Sequence, residues 1–403
     1  MSGRSILKRI DWLSVFIYFT LVLIGWINIY SSTFTDEHSS IFDFGTLYGK
    51  QLFFIGVSLV TIVIILALEV NFYERFSSLL YIISMVSLLG LFVFGKTIAG
   101  ATSWYGLGFF NLQPSELAKV ATALALAKYL SDIQTDIKRR KDQLYALLIL
   151  LIPALLIIPQ PDPGSASLIL IFVITLMFGT IWLIIGLSLL IILLFGFKRK
   201  SLKIPVIPLT FICTAAILFS LSVNFVFNNV FEQRHRDRFG LWLRLEKDPN
   251  KFEQIRKSIG YNTYQSEKAI ESGGFFGKGF LEGTRTKGDF VPAQHTDYIF
   301  STVGEEWGFL GTATVIILFS VLFLRLISLA ERQKNAFARM YGYGVISILL
   351  IHYFINIGMV IGILPTIGIP LPFFSYGGSG LLFFTILLFI FLRLDTNRLK
   401  ESF

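Results

Sequence analysis

The chain has 403 residues, 54% of them hydrophobic, with 41 Phe, only 15% charged residues and a formal net charge of +9. Several apolar runs approach the roughly 20 residues that cross a hydrocarbon core, so the composition describes a polytopic helical membrane protein. Runs such as 57–68 and 144–158 are apolar on every side, which excludes a β-barrel built from alternating segments, and the single cysteine, Cys213, excludes an intramolecular disulfide and a Cys-based metal site.

Arg4, Lys8 and Arg9 precede an apolar run too long for a signal peptide, so the N-terminus reads as a cytoplasmic tail leading into a first span. Spans are expected near 11–31, 50–68, 77–95, 113–130, 144–159, 164–197, 204–228, 297–325, 338–364 and 377–394, ten in all. The run at 164–197 is counted as one tilted or broken helix, or one span with a re-entrant piece. On this count the basic connections at 138–141, 198–203 and 325–339 and the basic tail after Arg393 share one face, as the positive-inside rule requires, and both termini are cytoplasmic. The whole chain, 1–403, reads as a single membrane domain interrupted between spans 7 and 8 by one large polar extracytoplasmic loop, 229–296.

That loop holds twelve Lys and Arg against nine Asp and Glu. Its Gly-rich centre, from Gly273 to Gly279, lets backbone approach a ligand closely and offers N–H groups to an anion, but an ordinary irregular surface loop is the stronger expectation. Pro-rich turns at 159–164 and 365–380 bend backbone at membrane depth, which is tolerated where protein or water lines a cavity. Within the spans Glu116 and Lys119 stand three apart on one helix face, as an ion pair that either locks packing or serves a cavity. Glu305 lies closer to the Asp297 face than Glu306, and one of the two is expected to reach water. His352 and Asn356, one turn apart, read as interhelical hydrogen-bond partners. The four histidines have no metal-ligand spacing, so any ion would be hard and carboxylate-bound, such as Mg²⁺. Asp162, Glu282, Asp289 and Asp297 remain as competing outward acids.

Further ordered motifs resolve that competition by resemblance. Gln113-Pro114-Ser115-Glu116-Leu117-Ala118-Lys119, Gln160-Pro161-Asp162-Pro163-Gly164, Val291-Pro292-Ala293-Gln294-His295-Thr296-Asp297, Gly362-Ile363-Leu364-Pro365 and Ser375-Tyr376-Gly377-Gly378-Ser379 together resemble the SEDS family of bacterial cell-wall proteins, and its elongation branch more than its division branch. Two departures are visible: Ser103 precedes Trp104 where many members carry Arg, and Pro163 replaces a usual Leu.

The resemblance implies a ten-helix peptidoglycan glycosyltransferase of the bacterial cytoplasmic membrane that polymerises lipid II into a nascent glycan strand. It makes Asp297 the essential catalytic carboxylate, a general base. It offers Glu116, Lys119, Trp104, Asp162, Lys278, Arg285, His295, Glu305, Ser375 and Ser379 as substrate-binding candidates, with Arg234, Arg236, Arg238 and Lys287 as further cations for a leaving pyrophosphate. A class B penicillin-binding protein is the implied partner, and no nucleic acid is expected. No cofactor is firmly implied, a divalent cation, Mg²⁺ or Mn²⁺, being the one candidate. The rival readings are a lipid II flippase and a non-catalytic scaffold for a transpeptidase.

Overall fold

A computed structural model of the protein describes residues 8–34, 41–98, 101–106, 108, 111–136, 138–160, 249–258 and 260–398. The spans expected at 164–197 and 204–228, with Asp162, Arg234, Arg236 and Arg238, lie outside the described residues.

In chain order the helices are α1 (Trp12–Thr33), α2 (Leu47–Ala67), α3 (Val70–Phe94), α4 (Pro114–Ser131), α5 (Arg140–Ile157), α6 (Pro249–Ser258), α7 (Tyr261–Gly273), α8 (Thr284–Lys287), α9 (Ile299–Glu331), α10 (Ala336–Val360) and α11 (Gly378–Asp395). Among the described residues six of these, α1, α2, α3, α9, α10 and α11, are long and apolar enough to cross a membrane. Helices also form at the expected spans 113–130 and 144–159, as α4 and α5. α4 carries Glu116, Lys119 and Lys128, and its polar residues are affordable because most of the helix is enclosed by protein.

Caps fix several starts. Asp11 accepts from the Ser14 amide at 3.1 Å, Thr46 from Gly49 at 3.2 Å and Asn335 from Ala338 at 3.1 Å, each satisfying a donor the first helical turn leaves open. Among the described spans α11 is the innermost, with 78% of its apolar window buried against 22% for α2 and α3, whose Val63, Val86 and Val93 face outward as lipid-facing residues do. Tyr18 of α1 lies edge-on to Phe373 and Phe389 and shares a 2.8 Å hydrogen bond with Thr385, tying α1 to α11 and to the loop before it.

Two departures from the sequence reading matter for the site. The fold is not purely helical: Lys96–Ile98, Ala101–Gly106 and Asn111–Leu112 form a small antiparallel sheet, β1-β2-β3, in which Trp104 pairs with Lys96 and Tyr105 with Leu112. Within the polar stretch 229–296, α6, α7 and α8 are helical. Glu253 pairs with Arg256 at 3.7 Å and Lys257 at 3.4 Å, the i+3 and i+4 spacing that supports α6.

The chain divides into two compact units, Met1–Val173 with Gln265–Phe403, and Ile174–Tyr264. In the second, Arg256 also lies over the Tyr264 ring at 5.1 Å. Everything below concerns the first.

Candidate functional site

Asp297 lies in the turn just before α9, partly exposed. The carbonyls of three consecutive residues in this turn are each taken by a different donor. The Tyr376 amide donates to His295 at 2.9 Å, the Ser375 hydroxyl to Thr296 at 2.6 Å, and the Asn356 side-chain amide to Asp297 at 2.8 Å. Asn356 also donates to the Ile369 carbonyl at 2.7 Å, so one α10 side chain joins the acid-bearing turn to the loop opposite. That loop closes over the carboxylate at Gly368, whose φ is +80° and where an added Cβ would lie 3.4 Å from Asp297 Oδ2. Ala293 and Phe373, one in each segment, hold positive φ of 57° and 64°, costly conformations for side-chain-bearing residues that only over-determined surroundings maintain.

His295 packs edge-on against Tyr376 at 5.7 Å between ring centroids. Burial of its ring pushes the imidazole below its ordinary pKa, partly opposed by the Asp289 carboxylate, so it stands neutral at pH 7 and adds no positive charge beside Asp297. Gln294, buried, donates from Nε2 to the Ser32 carbonyl at the end of α1 and to the Thr286 carbonyl of α8, both at 2.9 Å.

Glu305 forms a second cluster. The expectation that one of Glu305 and Glu306 reaches water is overturned: both are buried. Glu305 accepts from Lys278 Nζ at 2.7 Å, from the Arg285 and Thr286 amides at 2.9 and 2.8 Å, and from the Thr286 hydroxyl at 2.8 Å. Glu306 accepts from the Ser31 hydroxyl of α1. Lys278 also donates to Thr284 at 2.7 Å, and Arg285 Nη1 to Gln265 at 2.5 Å while lying over Phe290. These side chains organise the loop around α8 and engage one another, whereas Lys287 is exposed.

Three N–H groups of the Gly-rich segment, those of Gly277, Lys278 and Gly279, are taken by main-chain carbonyls. α9 breaks at Gly308 (φ 62°, ψ −155°), and the amides of Lys278 and Gly279 donate to the freed carbonyls of Glu305 and Glu306, both at 3.0 Å. In return the Phe309 and Leu310 amides donate to the Gly274 and Phe275 carbonyls at 2.9 and 3.2 Å. Such contact needs glycine: a Cβ on Gly273 would lie 1.9 Å from the Gly304 carbonyl oxygen, and one on Gly277 2.1 Å from that of Glu306.

Behind the loop opposite Asp297 runs a buried polar chain. Lys119 Nζ lies 2.7 Å from Glu116 Oε1 and 2.9 Å from His352 Nε2, with both members of the ion pair almost wholly buried. An ammonium has only donors, so Nε2 accepts, Nδ1 carries the proton, and it points at the Pro370 carbonyl 3.3 Å away. The pair therefore supports the 369–376 loop from beneath. Lys119→Met strands Glu116 in the interior, and we expect a loss of about 3–5 kcal/mol, read as a lower melting temperature in detergent. Converting Glu116 to Gln in the same chain should recover much of it.

The structure thus joins His295, Asp297 and Ser375 in one site, connects Lys278, Arg285 and Glu305 to it through Thr286 and Gln294, and places Glu116 and Lys119 behind it. Trp104 lies on β2, with no described contact to the Asp297 turn, and Ser379 is buried in the first turn of α11. Gln294, Asn356, Tyr376 and Gly368 are the site residues to which sequence reasoning gave no such role. The detectable signal was a buried amide inside a motif or a span, for Gln294 and Asn356; for Gly368 there was none. Among the described residues no three His, Cys, Asp or Glu side chains converge as a metal site.

Residues 11–400 match the family FTSW_RODA_SPOVE, described as cell cycle proteins. The peptidoglycan glycosyltransferase MrdB of Escherichia coli (strain K12) is 32% identical over 348 residues, covering 85% of this chain and 84% of that protein. The peptidoglycan glycosyltransferase RodA of Treponema pallidum (strain Nichols) is 31% identical, covering 92% and 94%. Among solved structures, a chain of a peptidoglycan synthase complex that coordinates polymerization and crosslinking superposes with a TM-score of 0.72 at 26% identity, covering 96% of this chain and 98% of that one. The rod shape determining protein RodA of Thermus thermophilus, as a mutant, gives 0.63 at 25%, covering 96% and 98%. With the match running over nearly its full length, the chain belongs to the FtsW/RodA/SpoVE, or SEDS, family.

Proposed function

We propose that this multi-pass membrane protein is a peptidoglycan glycosyltransferase that polymerises lipid II at the outer face of the bacterial cytoplasmic membrane, with both termini inside and Asp297 as general base. The observation that carries this reading is the threefold clamp on residues 295–297, which fixes the backbone under a partly exposed carboxylate. A sugar hydroxyl is a poor nucleophile until a positioned base accepts its proton. In this reading Asp297 takes the proton of the acceptor's 4-hydroxyl, and the oxygen attacks the anomeric carbon of the α-linked donor from the opposite face. The bond to polyprenyl pyrophosphate breaks, and a β-1,4 link forms with inversion. Lys278 and Arg285 are engaged with Glu305, Thr284 and Gln265, so among the described loop cations Lys287 is the one assigned to the leaving pyrophosphate. The oxygens of Glu305 are filled by N–H and O–H donors, so this carboxylate does not fit a resident Mg²⁺ or Mn²⁺.

A class B penicillin-binding protein is the proposed partner, docking on the outer loop and the outward ends of the last spans. The testing experiment supplies purified protein and its cognate transpeptidase with lipid II and resolves glycan strands by gel. Strands support the enzyme; lipid II crossing a vesicle bilayer with no strands would replace it with the flippase reading. A finer check is Gly368→Ala. A side chain at that φ costs roughly 1–2 kcal/mol, and its methyl would come into van der Waals contact with the carboxylate. We expect strand synthesis to fall about tenfold with lipid II binding retained.

A further inference from the structure

We propose that the end of the bundle remote from Asp297 holds a binding site for the phosphate group of an anionic phospholipid. A cavity of about 260 Å³ opens where the chain enters α1, α9 nears its end and α11 finishes, and Lys8, Arg9, Arg325, Arg332 and Arg398 line it. Arg325 lies 17 residues beyond the break at Gly308, roughly 25 Å along a helix rising 1.5 Å per residue, and Asp297 lies on the other side of that break. The two clefts therefore open toward opposite membrane faces.

Two carboxylates share the cavity, and both already have partners. Asp11 accepts from Arg325 at 3.0 and 2.5 Å and from the Ser14 hydroxyl at 2.7 Å. Asp395 accepts from Arg332 at 3.0 and 2.5 Å, from Gln333 at 2.6 Å and from Arg398 at 3.4 Å. Five cations against two carboxylates leave the lining strongly positive. Arg9 contributes a second observation: its Nη1 is buried and has no hydrogen-bond partner among the described residues. A buried guanidinium N–H without an acceptor is costly, and an oxyanion of a ligand removes that cost.

The ligand's chemistry follows from size and setting. The space equals roughly nine waters at ~30 Å³ each, enough for a phosphodiester headgroup and too little for acyl chains. Trp12, Leu13 and Phe16, 58%, 46% and 67% exposed, follow Asp11 directly on α1, and Leu324, 67% exposed, precedes Arg325 on α9. An exposed tryptophan beside basic residues at helix ends marks the level of lipid headgroups, where basic pockets between spans take anionic lipid. The tails then lie along the apolar flank. A free phosphate would use the arginines and ignore that flank.

The test uses the full chain and reads lipid retention, so it is independent of strand synthesis. Purified protein in mixed micelles is titrated with phosphatidylglycerol, phosphatidylcholine or inorganic phosphate, and bound species are counted by native mass spectrometry. We expect phosphatidylglycerol to bind at least tenfold more tightly than phosphatidylcholine, and its affinity to fall about tenfold or more in Lys8→Gln/Arg9→Gln, with Arg9→Lys falling less. Both changed residues leave Asp11 and Asp395 with their partners, and Arg398→Gln gives the same reading if the double variant fails to fold. Equal binding of the two lipids, or full phosphatidylglycerol binding by the variants, overturns the site. Displacement of the lipid by millimolar inorganic phosphate overturns the lipid as its occupant.

Discussion

Asp297→Asn is expected to reduce glycan strand formation by about 10²–10⁴-fold, measured as lipid II polymerisation with the cognate transpeptidase present. The amide is nearly isosteric and cannot accept the acceptor sugar's proton. The three clamping bonds end on the main-chain carbonyls of His295, Thr296 and Asp297, so all of them survive the change. The variant should therefore melt close to wild type, within about 0.5 kcal/mol. That pairing of outcomes separates a lost proton acceptor from a collapsed turn. Strand formation within threefold of wild type would remove Asp297 from the chemistry and restore Asp162, Glu282 and Asp289 as candidates.

Glu305→Ala is expected to cost about 3–5 kcal/mol of stability, read by thermal unfolding in nanodiscs. The carboxylate is fully buried and receives the Lys278 ammonium, two main-chain amides and the Thr286 hydroxyl. Alanine leaves the Thr286 amide and hydroxyl without their acceptor in the interior and takes from Lys278 its buried carboxylate, with Thr284 as its remaining acceptor. Glu305→Gln keeps one acceptor oxygen but turns an NH₂ toward donors, and should cost less, about 1–3 kcal/mol. Activity should fall with stability in both variants, because Gln294 connects α8 to the Asp297 turn. An alanine variant as stable as wild type would mean that the loop around α8 is held by its apolar contacts instead.

The spans were legible because each apolar run had to bury its own backbone, and α1 and α2 begin within three residues of their expected starts. α3 begins at Val70, seven residues before expectation, because its first turns include Glu74 and Arg75 and a hydropathy reading starts only after them. The β1-β2-β3 sheet has strands of three, six and two residues, too short for any period to show. Asp297 stood among four acids until the motif around it was read as a whole, since nothing local distinguishes a base from a helix-start aspartate. The partners of Glu305 lie some twenty residues upstream, a pairing that tertiary structure creates. The seat of the Gly-rich segment on α9 is a backbone-to-backbone contact, which leaves no side-chain pattern to find.

That seat makes α9 a single rod in sequence and two bodies in mechanics. At Gly308 the helix gives up bonds to its own next turn and makes them to another segment, so the part bearing Glu305 and Glu306 is welded to residues 274–279. The Lys278, Gly279, Phe309 and Leu310 amides should then become exchangeable with deuterium as one cooperative unit, separate from the remainder of α9. Force applied to residues 274–279 reaches the base of the Asp297 turn directly, without first bending the part of α9 beyond Gly308.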